Sequence, residues 1–253
     1  MNLHIDTLGR GAPLVLLHGW GMHGGVWTEI AEKLANNFQV FSVDLPGYGK
    51  SSKGDGGALD EIVDSLSAQF STPVSVCGWS LGGQIALRWA VREPHTIQQL
   101  ILVASTPCFT QREGWPFGMA RELLENFAAE LEQNHAATLR RFIALQMRGS
   151  ENERELLLQL RERLFSRGEP DINTLRSGLE ILRDVDLRGD LPYIKQPTLV
   201  IAGERDKLTP PQASHFLAQH IPSARLVEIQ GAAHAPFLSH PEIFVQAVKG
   251  ALS

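Results

Sequence analysis

The chain has 253 residues, 43% of them hydrophobic, and a formal net charge of −5 with acidic and basic residues interspersed. That length suits one α/β domain with a sizeable core and room for an inserted subdomain, and argues against a second independent domain. The charge leaves no basic stripe for nucleic acid and no polybasic patch for a membrane, and the longest apolar runs are strand-sized, too short to span a bilayer.

Leu3 to Thr7 predicts a weak strand, closed by the turn Gly9-Arg10-Gly11. Leu14-Val15-Leu16-Leu17 is a continuous apolar run, as a parallel strand covered on both faces requires, and it runs into His18-Gly19-Trp20-Gly21. A helix is expected from about Gly25 to Asn36, with Trp27, Ile30, Ala31 and Leu34 at helical spacing, then a strand from Phe38 to Asp44. Leu45-Pro46-Gly47-Tyr48-Gly49 stops any helix there. Asp44, at a strand end, is a candidate acid with a structural role as the preferred reading. Ser52 to Gly57 reads as a small flexible linker, and Ala58 to Phe70 as a helix.

Val74 to Gln84 is a β-prone run, the pentapeptide Gly78-Trp79-Ser80-Leu81-Gly82, then a helical segment to about Val91. Gly-x-Ser-x-Gly between strand and helix is a nucleophile elbow, a sharp turn that lifts a serine hydroxyl out of a sheet. The following helix directs its first amides, Leu81 N–H among them, at the place where an oxyanion would develop. The His-Gly pair after the earlier strand supplies the position of the second donor, Trp20 N–H. His18 reads as fixing that loop, not as a base.

Leu100 to Ala104 is the next strand. Between Arg112 and Asp190 the texture changes to long amphipathic stretches, such as 119–133, 136–147 and 151–165, with no convincing strand. The expected organisation is an α/β-hydrolase fold with a mostly parallel central sheet flanked by helices, its core at 1–110 and 190–253 and a helical cap at 111–189. The core resumes with a strand at Pro197 to Gly203, running into Glu204-Arg205-Asp206, and another at Ala224 to Ile229, running into Gly231-Ala232-Ala233-His234. A last helix spans about Pro241 to Leu252.

Ser80, Asp206 and His234 thus follow three strands in the order Ser, Asp, His, and parallel sheets gather such loops at one edge. His234 would take the serine proton and later activate water, with Asp206 orienting the imidazole. Glu204 is the rival acid and His240 the rival base. The chemistry implied is acyl transfer through a serine ester. No His/Cys/Asp cluster has metal-ligand spacing and no phosphate or dinucleotide motif is present, so neither metal nor cofactor is expected. Met1 to Asp6 lacks the features of a signal peptide, and Cys77 and Cys108 make no disulfide framework. A cytoplasmic monomer is the expectation.

Leu-Leu-His-Gly-Trp-Gly (16–21), Val-Asp-Leu-Pro-Gly (43–47), Gly-Trp-Ser-Leu-Gly-Gly (78–83), Ala-Ser-Thr-Pro-Cys-Phe (104–109), Arg-Phe-Ile-Ala-Leu-Gln (141–146), Gly-Leu-Glu-Ile-Leu (178–182), Asp-Leu-Arg (186–188) and His-Ala-Pro-Phe (234–237) together carry a family likeness nearly end to end. The chain resembles the pimeloyl-acyl carrier protein methyl ester esterases of biotin synthesis, carboxylesterases of the α/β-hydrolase superfamily. The resemblance implies removal of the methyl group from a pimeloyl ester held on acyl carrier protein, with release of methanol. It also implies an acyl pocket touched by Trp20, Trp79 and Phe142, although aromatics are as readily plain core. The carrier is strongly acidic, and residues 140–167 hold seven arginines against four glutamates. Arg141 and Arg154 match positions where the family docks the carrier; Ala137 and Leu158 stand at two others, with Arg140 and Arg161 nearby as substitutes. A solvated helix face, with Arg154 beside Glu151, is the plainer reading of those charges. Two alternatives stay open: an enol-lactonase or carbon–carbon bond hydrolase sharing the triad, and a non-catalytic ligand-binding protein on the same fold.

Overall fold

The computed structural model describes residues 2–52 and 56–252, so Lys53, Gly54 and Asp55 of the expected linker lie outside the described residues. The strands are β1 (Ile5–Leu8), β2 (Ala12–Leu17), β3 (Phe38–Val43), β4 (Val74–Trp79), β5 (Ile97–Val103), β6 (Thr198–Gly203) and β7 (Ala224–Ile229). Among the described residues they form one seven-stranded sheet in the order β1-β3-β2-β4-β5-β6-β7. Every pair is parallel except β1 with β3, which is antiparallel at the edge. All six residues of β4 and all six of β6 are buried. Strands covered on both faces are mostly apolar, which is why those segments are runs broken only by small Ser75 and Thr198 and not alternations.

The covering helices are α1 (Thr28–Leu34), α2 (Leu59–Ser67), α3 (Leu81–Arg92), α8 (Pro211–His220), a single turn α9 (Pro236–Ser239) and α10 (Pro241–Leu252). The helix expected from Gly25 begins instead as a 3-10 turn, Gly24–Trp27, because the His23 ring accepts the Gly25 N–H at 3.1 Å and caps the tighter turn first. Between β5 and β6 the chain leaves the sheet and forms α4 (Arg121–Gln133), α5 (His135–Met147), α6 (Glu153–Phe165) and α7 (Ile172–Asp184). The Asn134 side chain caps α5 by accepting Ala137 N–H at 3.1 Å, and Asp171 caps α7 through Asn173 N–H at 2.9 Å. The first amphipathic stretch starts its helix two residues late. Met119 is held in an extended bridge, donating to the Phe109 carbonyl at 2.7 Å while its own carbonyl accepts from Gln111 N–H at 2.8 Å.

Two arginines hold this helical layer on the sheet. Arg167 donates from Nη1 to both oxygens of buried Asp44, at 2.8 and 2.9 Å, and from Nη2 to Asp6. Arg163 donates to the Val26 carbonyl at 3.0 Å and to Glu29 at 3.3 Å, while the Arg163 carbonyl receives His23 Nε2 at 2.7 Å. Burial opposes ionisation of Asp44, but the Lys50 N–H and the Arg167 guanidinium outweigh it and hold the carboxyl below its usual range.

Strand order places the crevice. From β2 the chain steps to β3 on one side, then crosses back to β4 on the other, so the loops leaving β2 and β4 part at a topological switch point. His18-Gly19-Trp20 and Ser80 are those loops.

Candidate active site

Ser80 adopts φ 55° and ψ −115°, a left-handed conformation that costs a non-glycine residue about 1–3 kcal/mol. Four partners hold it there. Ser80 N–H donates to the Val103 carbonyl at 2.9 Å, and the Ser80 carbonyl accepts from Gly83 N–H and from Ser105 Oγ, each at 2.9 Å, and from Gln84 N–H at 3.3 Å. A Cβ on Gly78 would collide with the Gly82 carbonyl, and one on Gly82 would come within 2.7 Å of the His18 carbonyl oxygen. The two glycines of the motif therefore let the helix start press against both the elbow strand and the loop after β2.

Asp206 and His234 meet across the ends of β6 and β7. His234 Nδ1 lies 2.8 Å from Asp206 Oδ2. A carboxylate only accepts, so Nδ1 carries the proton and Nε2 presents a lone pair. Asp206 Oδ1 accepts from Leu208 N–H at 2.8 Å and Thr209 N–H at 3.0 Å, and Oδ2 also accepts from Thr209 Oγ1 at 2.8 Å. The histidine loop folds over β6 so closely that a Cβ on Gly203 would strike the Ala233 carbonyl. Its backbone is pinned on two sides: Trp79 Nε1 donates to the His234 carbonyl at 2.8 Å, and His234 N–H donates to the Gln146 carbonyl of α5 at 3.2 Å. Ser80 is 9%, Asp206 4% and His234 1% exposed, so the constellation works largely away from water.

The rival groups are occupied elsewhere. Glu204 accepts Gly231 N–H at 2.9 Å, and His240 Nδ1 pairs with Ser239 Oγ at 2.8 Å. His18 is fully buried; its Nε2 accepts Leu45 N–H at 3.0 Å and its Nδ1 contacts the Gly19 carbonyl at 2.8 Å, so the ring is a neutral strut of the loop. Burial pulls its pKa down to about 4. Gly19 packs on the elbow so closely that a Cβ added there would lie 3.4 Å from Ser80 Cβ, and Trp20 is the next residue in the chain. Among the described residues neither Trp20 N–H nor Leu81 N–H is taken by another protein group. An oxyanion hole requires two such unclaimed amides.

A cavity of about 460 Å³ opens under α4, α5 and α7, walled by Phe109, Phe127, Phe142, Leu145, Leu182 and Leu208 among others. Ser80 and His234 are not in that wall. The wall reaches toward the site at Leu208, two residues past Asp206, and at Phe142, which meets Trp20 edge-on with ring centroids 4.9 Å apart. Trp20 is anchored to α7 by its Nε1, which donates to the Leu175 carbonyl at 2.8 Å. Of the three aromatics expected at the substrate only Phe142 is in the wall; Trp20 meets it edge-on, and Trp79 lies against His234, with ring centroids 5.7 Å apart, and supports the histidine loop.

The arginine-rich stretch divides. Arg163 and Arg167 face the core, Arg141 pairs with Glu130 at the cavity wall, and Arg140 is exposed but engaged. Arg154 and Arg161 are exposed and form no ion pair among the described residues. Sequence reasoning missed Thr209, Ser105, Phe127 and the Gln146 carbonyl. Only Thr209 left a local signal, as the hydroxyl residue three positions after a turn aspartate.

Residues 12–241 match the family model described as alpha/beta hydrolase fold. A pimeloyl-[acyl-carrier protein] methyl ester esterase of Nitrosomonas europaea is 45% identical over 96% of this chain and 97% of its own. One from Chromobacterium violaceum is 45% identical over 98% and 97%. Among solved structures, an esterase from Exiguobacterium antarcticum superposes with a TM-score of 0.90 at 26% identity, covering 99% of this chain and 96% of that one.

Proposed function

The chain belongs to the α/β hydrolases and, within them, to the pimeloyl-[acyl-carrier protein] methyl ester esterases, and from that premise we propose how it works. It is a serine carboxylesterase that hydrolyses the methyl ester of pimeloyl-acyl carrier protein to pimeloyl-acyl carrier protein and methanol, a step of biotin synthesis. His234 Nε2 takes the Ser80 proton as Oγ attacks the ester carbonyl, and the Trp20 and Leu81 amides stabilise the oxyanion. His234 then protonates the departing methoxide, leaving the pimeloyl group as an ester on Ser80. Water, deprotonated by the same nitrogen, attacks that ester and frees the serine. Asp206 keeps the proton on Nδ1 and balances the imidazolium that forms twice in the cycle.

The observation that carries this reading is the 2.8 Å Asp206–His234 contact following β6 and β7, at the sheet edge where the strained Ser80 follows the parallel strand β4. The methylene chain suits that cavity, each buried CH₂ contributing about 0.8 kcal/mol. Phe142 and Trp20 flank the chain's path to the serine. Arg154 and Arg161, with Arg140 and Arg141, present a cationic face to the acidic carrier; Glu130 and the other partners of the last two must yield to it. No helix among the described residues is long and apolar enough to cross a membrane, and Cys77 and Cys108 are free thiols, as in a reducing compartment. The enzyme acts there, in the cytoplasm, as a monomer.

The test is methanol release from pimeloyl-acyl carrier protein methyl ester by purified protein, with Ser80→Ala as blank. Rapid, serine-dependent release that exceeds the rate on free monomethyl pimelate is expected. Release from simple esters alone would remove the carrier-bound substrate from the reading and keep the triad.

A further inference from the structure

The cavity wall is apolar but for Asn126 and four charged residues, Glu130, Arg141, Arg148 and Lys207. Glu130 and Arg141 neutralise each other. Arg148 and Lys207 are exposed and make no ion pair or side-chain hydrogen bond among the described residues, so the wall carries two uncompensated positive charges on a chain whose net charge is −5. Arg205 fastens the two segments to each other by donating to the Gly149 carbonyl at 3.3 Å. Arg148, at the C-terminal end of α5, and Lys207, at the end of β6, are thereby presented to one space.

We propose that Arg148 and Lys207 form an anion subsite that receives the far carboxylate of a free dicarboxylic acid half-ester, giving the enzyme a second substrate class in small ω-carboxy methyl esters. Water splits such an ester at Ser80 into the dicarboxylic acid and methanol, as in the carrier-bound reaction; the inference rests on the reading of Ser80 as nucleophile and of this cavity as the acyl pocket.

Chain position favours a carboxylate over the phosphate of the carrier's arm. Lys207 adjoins Asp206, which touches His234, and consecutive Cα atoms are about 3.8 Å apart. Three extended bonds span about 3.5 Å, so the six between the carboxyl carbons of a pimeloyl chain span about 7 Å. The Lys207 backbone thus stands one residue from the triad, a placement that suits the far end of an acyl chain of that length and not that of an extended phosphopantetheine arm. In the carrier-bound ester that end of the chain is an uncharged thioester, and the subsite is exercised only by free half-esters. A neutral ester of equal length forfeits the interaction, and salt screens it.

The experiment compares kcat/KM for monomethyl pimelate with that for methyl heptanoate, in wild type and in Arg148→Gln/Lys207→Gln, with the carrier-bound ester assayed beside them and Ser80→Ala as blank. Wild type is expected to favour the half-ester, through KM, and the double variant to lose about five- to tenfold of that ratio. Raising the salt concentration lowers the ratio in wild type alone, a readout that needs no variant to fold. A wild-type ratio at or below one, or a ratio indifferent to both salt and substitution, overturns the subsite even where the carrier-bound ester is cleaved. A charge-dependent ratio without action on the carrier-bound ester upholds the subsite and overturns the carrier-bound substrate.

Discussion

Asp44, following β3, and Asp206, following β6, are both buried, and each accepts two backbone N–H groups: Gly24 and Lys50 for the first, Leu208 and Thr209 for the second. They differ in the partner that completes the shell. Asp44 receives Arg167, a permanent cation from beyond α6, and becomes a fastening between helical layer and sheet. Asp206 receives His234, whose second nitrogen is left for proton transfer. The same carboxylate in the same kind of strand-end pocket is a rivet in one place and, in the reaction we propose, part of a proton relay in the other, because arginine does not release its proton near neutral pH and histidine does.

The comparison is broken most forcefully at Asp206. Asp206→Asn should lower kcat for methanol release on the order of 10⁴-fold, the scale known for this substitution in a serine protease triad, while the thermal melt stays near wild type. Retained activity would pass the role to another acid. Asp44→Asn should do the reverse. Removing one partner of a buried pair costs about 3–5 kcal/mol, visible as a lower urea midpoint, whereas kcat per folded molecule stays within about threefold of wild type. An unchanged midpoint would mean that Arg167 does not fasten the helical layer.

The loop behind both regions has its own signature in acid. His18 has a folded pKa of about 4 against an ordinary 6.5, so between those values the unfolded chain binds the extra proton and stability falls as pH drops. Denaturant titrations from pH 7 to 4 should show a loss of roughly 3 kcal/mol from His18, removed in His18→Gln, beside a further loss from His23, which burial also depresses. Asp44, held below its usual range, adds a further loss only at still lower pH, as its carboxyl protonates. Thr209→Val removes one donor from Asp206 and should cost about 1 kcal/mol, near fivefold in kcat, with the pH profile shape preserved. The smallest effect belongs to the outer face: Arg154→Glu with Arg161→Glu should raise KM for the carrier-bound ester a few-fold at low salt and leave a small ester unaffected. Equal loss on both substrates would point to a damaged fold.

The alternation of apolar runs with helical spacing placed the strands of the sheet to within two residues except β5, which begins three residues before the expected Leu100 because its polar Gln98 and Gln99 interrupt the apolar run; strands buried on both faces and glycine-bounded turns are local properties of the chain. The helix boundaries that moved have tertiary causes. The His23 ring converted a helix start into a 3-10 turn, and the bridge at Met119 delayed α4. At the site, the Gly78-to-Gly82 motif and the Ser-Asp-His order single out residues that the fold brings to one edge of the sheet, since the elbow's geometry is written in five adjacent positions.

Partner choice was not written there. Asp44 and Asp206 look alike as strand-end aspartates, and seven arginines between 140 and 167 look alike as a basic stretch. Arg167 reaches Asp44 across 123 positions and His234 reaches Asp206 across 28, and no local pattern encodes contacts at such separations. Sequence by itself determined the elements, the elbow and the candidate chemistry, which depend on short-range sterics and residue type. Only the tertiary structure decided which acid serves the histidine, which arginines are spent on the core, and which cations are left facing the cavity, because a charge takes its role from what the packed chain sets opposite it.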